Sequence, residues 1–331
     1  MRPTRHIVLP ALIVGIAIAT ARGEDVTLGI RETWSDFLGG STQTLHVLAQ
    51  PSGAGIKRFG WSLAVDGRVV ARGEVPAVGG AAVIQVNIPA VKEGVVMPAV
   101  VSVEGLEPIV PATNKAVWIF AENAFSGKEE WLKSLDILLF DPDGGTATIL
   151  EKTGIPFTSI RNPEALVSSS GRLVIVGEGV SLEDYPALAE TIMRAAVAGR
   201  AVLCLAPASG SLLIPGAFDL QSGRPILIRF AQSAVIKELD KRLDAEAWPA
   251  DGRVDARDLA LKSDRQQVVG EFLPPGSGWP WFEAEFPGGG RLIICGFAVI
   301  EKWEQGPAPR YLLVRVIENL FPNREGKEIV P

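Results

Sequence analysis

Residues that do chemistry are scarce in this chain: two histidines and two cysteines among 331 residues. His6 falls in the basic stretch before the N-terminal apolar segment and is expected to leave with it, so His46 is the only imidazole left for acid–base work. A Ser-His-Asp or Cys-His enzyme needs its base within hydrogen-bond reach of the nucleophile. His46 lies in Gln43-Thr44-Leu45-His46-Val47-Leu48, on the polar side of an alternating strand and apart from every nucleophile candidate. No Cys-x-x-Cys or Cys/His cluster occurs, so no zinc or other metal is expected. Asp141-Pro142-Asp143-Gly144-Gly145 has two carboxylates where an EF-type calcium loop needs several more, and it reads as a turn. No Lys/Arg-rich run exists, and the net charge is −6, which argues against nucleic acid as a partner. Gly177-Glu178-Gly179 lacks the third glycine of a dinucleotide fingerprint, since position 182 is leucine. Glu183 and Asp184 would also repel a pyrophosphate, so no cofactor is expected.

Long apolar runs are missing too. Ile7–Ala19 is too short to span a bilayer comfortably and is interrupted by Pro10. With Arg2, Arg5 and His6 before it and Ala19-Thr20-Ala21 after it, residues 1–23 read as a secretory signal peptide. Loss of Arg2, Arg5 and Arg22 with that leader takes the net charge from −6 to about −9. The expected location is periplasmic or extracellular, with no membrane attachment after cleavage.

What remains is an ordinary globular composition, 47% hydrophobic and 21% charged. The expected fold is all-β followed by α/β. Residues 25–110 read as an antiparallel β-sandwich with strands at Val26–Glu32, Thr42–Gln50, Phe59–Val65, Arg68–Glu74, Ala81–Ile88 and Val95–Val103. Val65-Asp66-Gly67-Arg68 carries a hairpin signal. Trp61, with Leu63 and Val65 on its face, reads as the core aromatic. Glu107–Asn114, with Pro108 and Pro111, reads as a linker. From residue 115 to 322 the period changes to that of a parallel α/β domain, and 323–331 is a tail. Lys115–Phe120 is continuous and apolar, as in a parallel strand covered on both faces. Ile137–Phe140, Ile155–Ile160, Arg172–Val176 and Ala201–Leu205 follow, with helices between them. The clearest helix opens at Ser181, a suitable N-cap, and ends at Gly199. Leu292–Phe297 is a late strand and Pro309–Phe321 a closing helix.

Three resemblances rest on these residues. Trp61-Ser62-Leu63 and Asp66-Gly67-Arg68-Val69-Val70-Ala71-Arg72-Gly73-Glu74 resemble the immunoglobulin-like sandwiches attached to bacterial glycoside hydrolases. Residues 116–320 resemble a class I glutamine-amidotransferase-like domain, which is flavodoxin-like in architecture. Its reactive cysteine sits in a Gly-x-Cys-x-Gly elbow, whereas Ala201-Val202-Leu203-Cys204-Leu205-Ala206-Pro207 has no flanking glycine. The ending, Gly288-Gly289-Gly290, then Arg291–Phe297, then a helix, looks like the close of the amidotransferase-like domain of large bacterial β-galactosidases, which serves in trimer assembly. The resemblance implies a noncatalytic module for assembly or binding, linked to polysaccharide breakdown and partnered by protein or by itself.

Two other functions compete with that reading. Ligands in open parallel sheets lie beyond the carboxyl ends of strands. Glu122, Glu178 and Ser209 end three such strands and are the candidate residues of a hydrolase of glycosidase or esterase type. Against it, Ser209 lacks Gly-x-Ser-x-Gly. Carbohydrate binding is the third reading. Gly278-Trp279-Pro280-Trp281-Phe282 holds Trp279 and Trp281, and indole faces stack on sugar rings. That reading expects an exposed coplanar pair from Trp279, Trp281 or Trp303. Cys204 and Cys295, each within an apolar strand, are expected to be buried free thiols.

Overall fold

The computed structural model describes residues 26–52, 55–214, 223–230, 233–243, 257–264, 267–273 and 278–321. The leader read at 1–23 and the tail at 323–331 lie outside them.

The N-terminal part holds two sheets built from β1 (Thr27–Ile30), β2 (Asp36–Leu38), β3 (Thr42–Gln50), β4 (Arg58–Val65), β5 (Arg68–Pro76), β6 (Ala81–Asn87), β7 (Val96–Glu107) and β8 (Ile109–Phe120). One sheet has the order β1-β3-β6, the other β2-β8-β7-β4-β5. Alternate residues point inward, and Phe37, Leu45, Phe59, Leu63, Ile84, Val101 and Ile119 form one core between the sheets. The β4–β5 hairpin turns at Asp66 and Gly67, both with positive φ (48° and 72°), as its Asp-Gly signal requires.

Two sequence expectations need correction here. Trp61 is only partly buried, and the centre of the core belongs to Phe59 and Leu63. Its indole lies across Gly73 of the edge strand β5, where an added Cβ would come within 2.8 Å of the ring. Residues Glu107–Asn114 are not a linker, because β7 and β8 form a hairpin there, with a cis bond at Glu107-Pro108. Lys115–Phe120 is therefore the second half of a sandwich strand, not the first strand of the parallel sheet. Its run looks doubly covered because Val117 and Ile119 fill the sandwich core while Trp118, on the opposite face, lies under the Arg242 guanidinium, 5.3 Å from the ring.

The rest of the chain alternates. In order come α1 (Glu129–Lys133), β9 (Ile137–Phe140), α2 (Gly145–Lys152), β10 (Phe157–Ser159), α3 (Ala165–Ser168), β11 (Leu173–Val176), α4 (Pro186–Val197) and β12 (Ala201–Leu205). After them run β13 (Ser211–Ile214), β14 (Leu227–Arg229), α5 (Ser233–Glu238), β15 (Asp258–Asp264), β16 (Gln267–Leu273), β17 (Trp281–Glu285), β18 (Arg291–Cys295) and α6 (Pro307–Leu320). A seven-stranded sheet has the order β10-β9-β11-β12-β18-β17-β14. Its first five strands are parallel, β17 runs antiparallel to β18, and β14 runs antiparallel to β17. A small sheet, β13-β16-β15, lies beside it.

Both faces of the large sheet are covered, which explains why β9, β11 and β12 read as unbroken apolar runs. Leu139, Ile175, Leu203 and Ile293 pack on one face with Leu132 of α1, Leu150 of α2 and Leu313 and Ile317 of α6. Val174, Val202, Cys204 and Ile294 pack on the other with Leu166 of α3 and Leu188 and Ile192 of α4. Each fully buried aliphatic side chain contributes about 1.5–3 kcal/mol.

Helix α4 starts later than its sequence signals suggest. Ser181 caps no helix; its hydroxyl accepts the Asp184 N–H at 3.0 Å in a preceding turn. The helix begins at Pro186, whose missing N–H and fixed φ suit a first position.

Candidate functional site

The carboxyl ends of β9, β11, β12 and β18 are where a ligand would be sought. Their loops are stitched to one another. The Gly179 N–H donates to the Ala206 carbonyl at 3.1 Å, Ala208 to Val180 at 3.1 Å, Leu182 to Ser209 at 2.9 Å, and Ala206 to Cys295 at 2.7 Å. The Ser181 and Ser209 hydroxyls meet at 2.8 Å. Buried backbone groups must find partners, and here they find them in neighbouring loops.

Glu178 completes the closure. Its carboxylate accepts the N–H groups of Ile300 at 2.7 Å and Glu301 at 2.8 Å, tying the loop after β11 to the one after β18. Burial pushes its carboxyl above the usual carboxylate range; the two N–H donors and Arg257 only partly offset that. A raised folded-state pKa means the unfolded chain loses its proton first as pH climbs. The stability from this group is complete below the ordinary glutamate value, about 4.3. It is lost as pH rises through the folded value. Glu178→Gln removes this titration and leaves one of the two N–H groups without an acceptor. The wild type should therefore melt above the variant by the widest margin near pH 4, with the margin narrowing toward pH 7. A margin that grows with pH would refute the assignment.

Asp141, after β9, is the second raised carboxyl, again mainly through burial. Its Oδ2 accepts the Ala147 N–H of α2 at 2.8 Å. Its Oδ1 is buried without a partner among the described residues, beside Gly177, where an added Cβ would come within 2.4 Å of it. Sequence reasoning treated Asp141 only as part of a turn. The signal available was its place directly after a buried strand.

The remaining candidates scatter. Glu122 follows β8, so it belongs to the end of a sandwich strand and not to the parallel edge. Its side chain is 71% exposed, 3.9 Å from Arg310. Arg310, missed by sequence reasoning, is 4% exposed. It donates to the Trp303 carbonyl at 3.0 Å, the Glu122 carbonyl at 3.1 Å and Glu304 at 2.8 Å. It is a strut between the chain leaving β8 and the start of α6. His46 stays within the sandwich, its Nδ1 2.6 Å from Glu32. Among the described residues the Ser209 hydroxyl meets that of Ser181 and no base.

The exposed tryptophan pair that the carbohydrate reading expects is not formed among the described residues. Trp281 is 1% exposed, and Trp303 is buried with it in one core layer. Phe282 is buried on the opposite face of the sheet. Extended backbone sends successive side chains to opposite faces, and here both faces are covered. Only Trp279 of the three is open, 47% exposed and tilted at 34° against Phe230 with centroids 5.4 Å apart.

Cys204 and Cys295 are free and fully buried. Adjacent strands place Cys204 opposite Ile294 and Cys295 opposite Leu205. The thiols therefore face opposite layers, and no disulfide can join them. Burial pushes the Cys204 thiol far up and that of Cys295 up to about 12. A thiolate, the reactive form, is thus suppressed at both positions. At the corner after β12 stands Ala206, a non-glycine residue with φ 26° and 1% exposure. Strain of this sort gathers at functional corners, but a buried methyl performs no chemistry. Among the described residues no three His, Cys, Asp or Glu side chains gather as a metal-ligand group. No described helix is long and apolar enough to cross a membrane.

No family model matches the chain, and no curated protein matches it. Solved structures give partial overlaps. The CARDB domain of a Pyrococcus furiosus protein in complex with di-metal ions is 16% identical over 31% of this chain and 99% of its own, with a TM-score of 0.23. A Paenibacillus cycloisomaltooligosaccharide glucanotransferase complexed with cycloisomaltoheptaose is 9% identical over 75% of this chain, with a TM-score of 0.24. A Bacteroides ovatus protein of a mixed-linkage glucan utilization locus, in complex with a mixed-linkage heptasaccharide, is 8% identical over 83% of this chain, with a TM-score of 0.19. The chain spans 34% of the glucanotransferase and 47% of the Bacteroides protein.

Proposed function

We infer that the chain is a secreted, noncatalytic module for binding or assembly. In this reading a β-sandwich precedes a flavodoxin-like α/β domain of the class I amidotransferase-like kind, with the division after Phe120. Two features support the α/β assignment. Numbered by sequence among themselves, the five parallel strands lie in the order 2-1-3-4-5, that of doubly wound folds. Their helices cover both faces. Fold alone does not assign activity.

The observation that carries the noncatalytic reading is the corner after β12. The strained backbone is present at Ala206, the side chain there is a buried methyl, and the nearest thiol is sealed two residues earlier. The loops around it are tied to one another by backbone hydrogen bonds. Thiol titration of the purified native chain tests this. Neither cysteine should react with a disulfide reagent until denaturant is added, when both should. A fast native thiol, or a monomer in sedimentation analysis that hydrolyses generic ester or glycoside substrates, would return the chain to the hydrolases.

One observation favours carbohydrate as a ligand: the open Trp279 face against Phe230. Lectin-style glycan binding lost on Trp279→Ala, with the fold intact, would support that second reading.

A further inference from the structure

The opposite, amino edge of the large sheet carries a feature outside the reading above. Three adjacent parallel strands are each introduced by the same dipeptide: Gly171-Arg172 before β11, Gly199-Arg200 before β12 and Gly290-Arg291 opening β18. The register sets Leu173 beside Ala201 and Ala201 beside Arg291. Neighbouring strands lie about 4.8 Å apart, so Arg172 and Arg200 start level with each other on adjacent strands, while Arg291 stands one residue further along β18.

All three line one groove of about 860 Å³, together with Trp131, Ile226 and Phe321. Their partners differ in a telling way. Arg200 donates to the carbonyls of Leu166 and of Val167, the latter at 2.9 Å. Arg172 donates to the Ser134 carbonyl at 3.3 Å and lies over the Phe321 ring, 5.6 Å from its centroid. Neither meets a carboxylate among the described residues. Arg291 is neutralised by Glu283 at 2.8 Å and Glu285 at 2.5 Å, yet its Nε–H is buried without an acceptor. Backbone carbonyls orient a guanidinium without cancelling its charge. In a chain of net charge −6, two guanidiniums that meet no carboxylate among the described residues, lining one groove, mark a place suited to negative charge. Trp131 meets Phe321 edge-on at 6.3 Å, adding an aromatic wall.

We propose that this groove binds an acidic oligosaccharide, its carboxylate or sulfate groups held by Arg172 and Arg200 and a ring face resting on the Trp131 wall. Guanidinium groups pair with planar or tetrahedral oxyanions through parallel N–H donors. A polyuronate presents one carboxylate on every sugar ring, so two neighbouring rings can offer one each to Arg172 and Arg200. Nucleic acid is disfavoured by the chain's own negative field. The site lies at the amino edge and does not depend on the state of the carboxyl edge.

Calorimetry on the full chain tests the proposal with a galacturonate oligomer, a sulfated oligosaccharide, a neutral glucose oligomer of equal length, and inorganic sulfate. The two acidic oligomers should bind, more weakly as salt is raised, and the neutral one should not. Arg172→Gln should weaken binding by about tenfold or more, and Arg58→Gln, on the sandwich, should leave it unchanged. Equal binding of the neutral oligomer, binding of sulfate alone, or no salt dependence in the wild type would overturn the proposal. The salt series needs no variant, so it decides even if Arg172→Gln fails to fold. A folded Arg172→Gln with unchanged affinity would also overturn it.

Discussion

Gly290→Ala is expected to leave little folded protein. An added Cβ would lie 1.8 Å from the Ala196 carbonyl oxygen and 2.9 Å from the Gly199 Cα. Both obstacles are backbone, so no side chain can swing aside. The Ala196 carbonyl already accepts the Gly199 N–H at 3.0 Å, and Gly199 closes α4 with φ 95°. Relief would have to come from pulling α4 off the sheet or delaying the start of β18. Overpacking usually costs about 1–3 kcal/mol, and a backbone clash this close should exceed about 4 kcal/mol. A domain holds only about 5–15 kcal/mol in total. Soluble yield and thermal melting measure the loss. Gly145→Ala is the control, since nothing lies within 4 Å of its added Cβ and it opens α2. That change should be neutral or stabilising by about 0.5–1 kcal/mol. Similar melting of both variants would refute the packing described at β18.

Trp281→Ala should cost about 3–5 kcal/mol, the usual loss for truncating a buried large aromatic. Trp281 sits opposite Cys295 and packs in the layer formed with α5 and α6. Its Nε1 is buried without a partner among the described residues, so truncation forfeits packing there and no hydrogen bond among them. Trp279→Ala, at an open position, should change stability by less than about 1 kcal/mol. Denaturant unfolding of the two variants separates them. A small cost at Trp281 would mean that the indole is not in the core. Loss of glycan binding by Trp281→Ala would report unfolding, whereas the same loss at Trp279 would report contact.

The parallel sheet was legible because its strands are buried on both faces. Ile137–Phe140, Leu173–Val176 and Ala201–Leu205 announce themselves by unbroken apolar runs. That same cue misassigned Lys115–Phe120, a sandwich strand whose outward Trp118 lies under Arg242 and whose Phe120 meets Tyr311 of α6, so it too is covered on both faces. The β15–β16 hairpin was invisible because Lys262, Ser263 and Asp264 break any alternation. At the candidate site, position was readable and role was not. Glu178 could be placed after a strand, but its partners are 122 and 123 residues away. Arg310 had no local pattern at all; its meaning comes from three carbonyl and carboxylate oxygens gathered by tertiary packing.

The one-residue offset between Cys204 and Cys295 also bears on biogenesis. Once folded, sulfur atoms in separate layers can neither cross-link nor exchange with outside thiols, so maturation asks nothing of an oxidase or isomerase. The exposure to risk comes earlier. A nascent or heat-opened chain presents both thiols at once, and in an oxidising medium covalent dimers through those two positions are the natural dead end, one that a reducing agent would rescue and a folded seed would not.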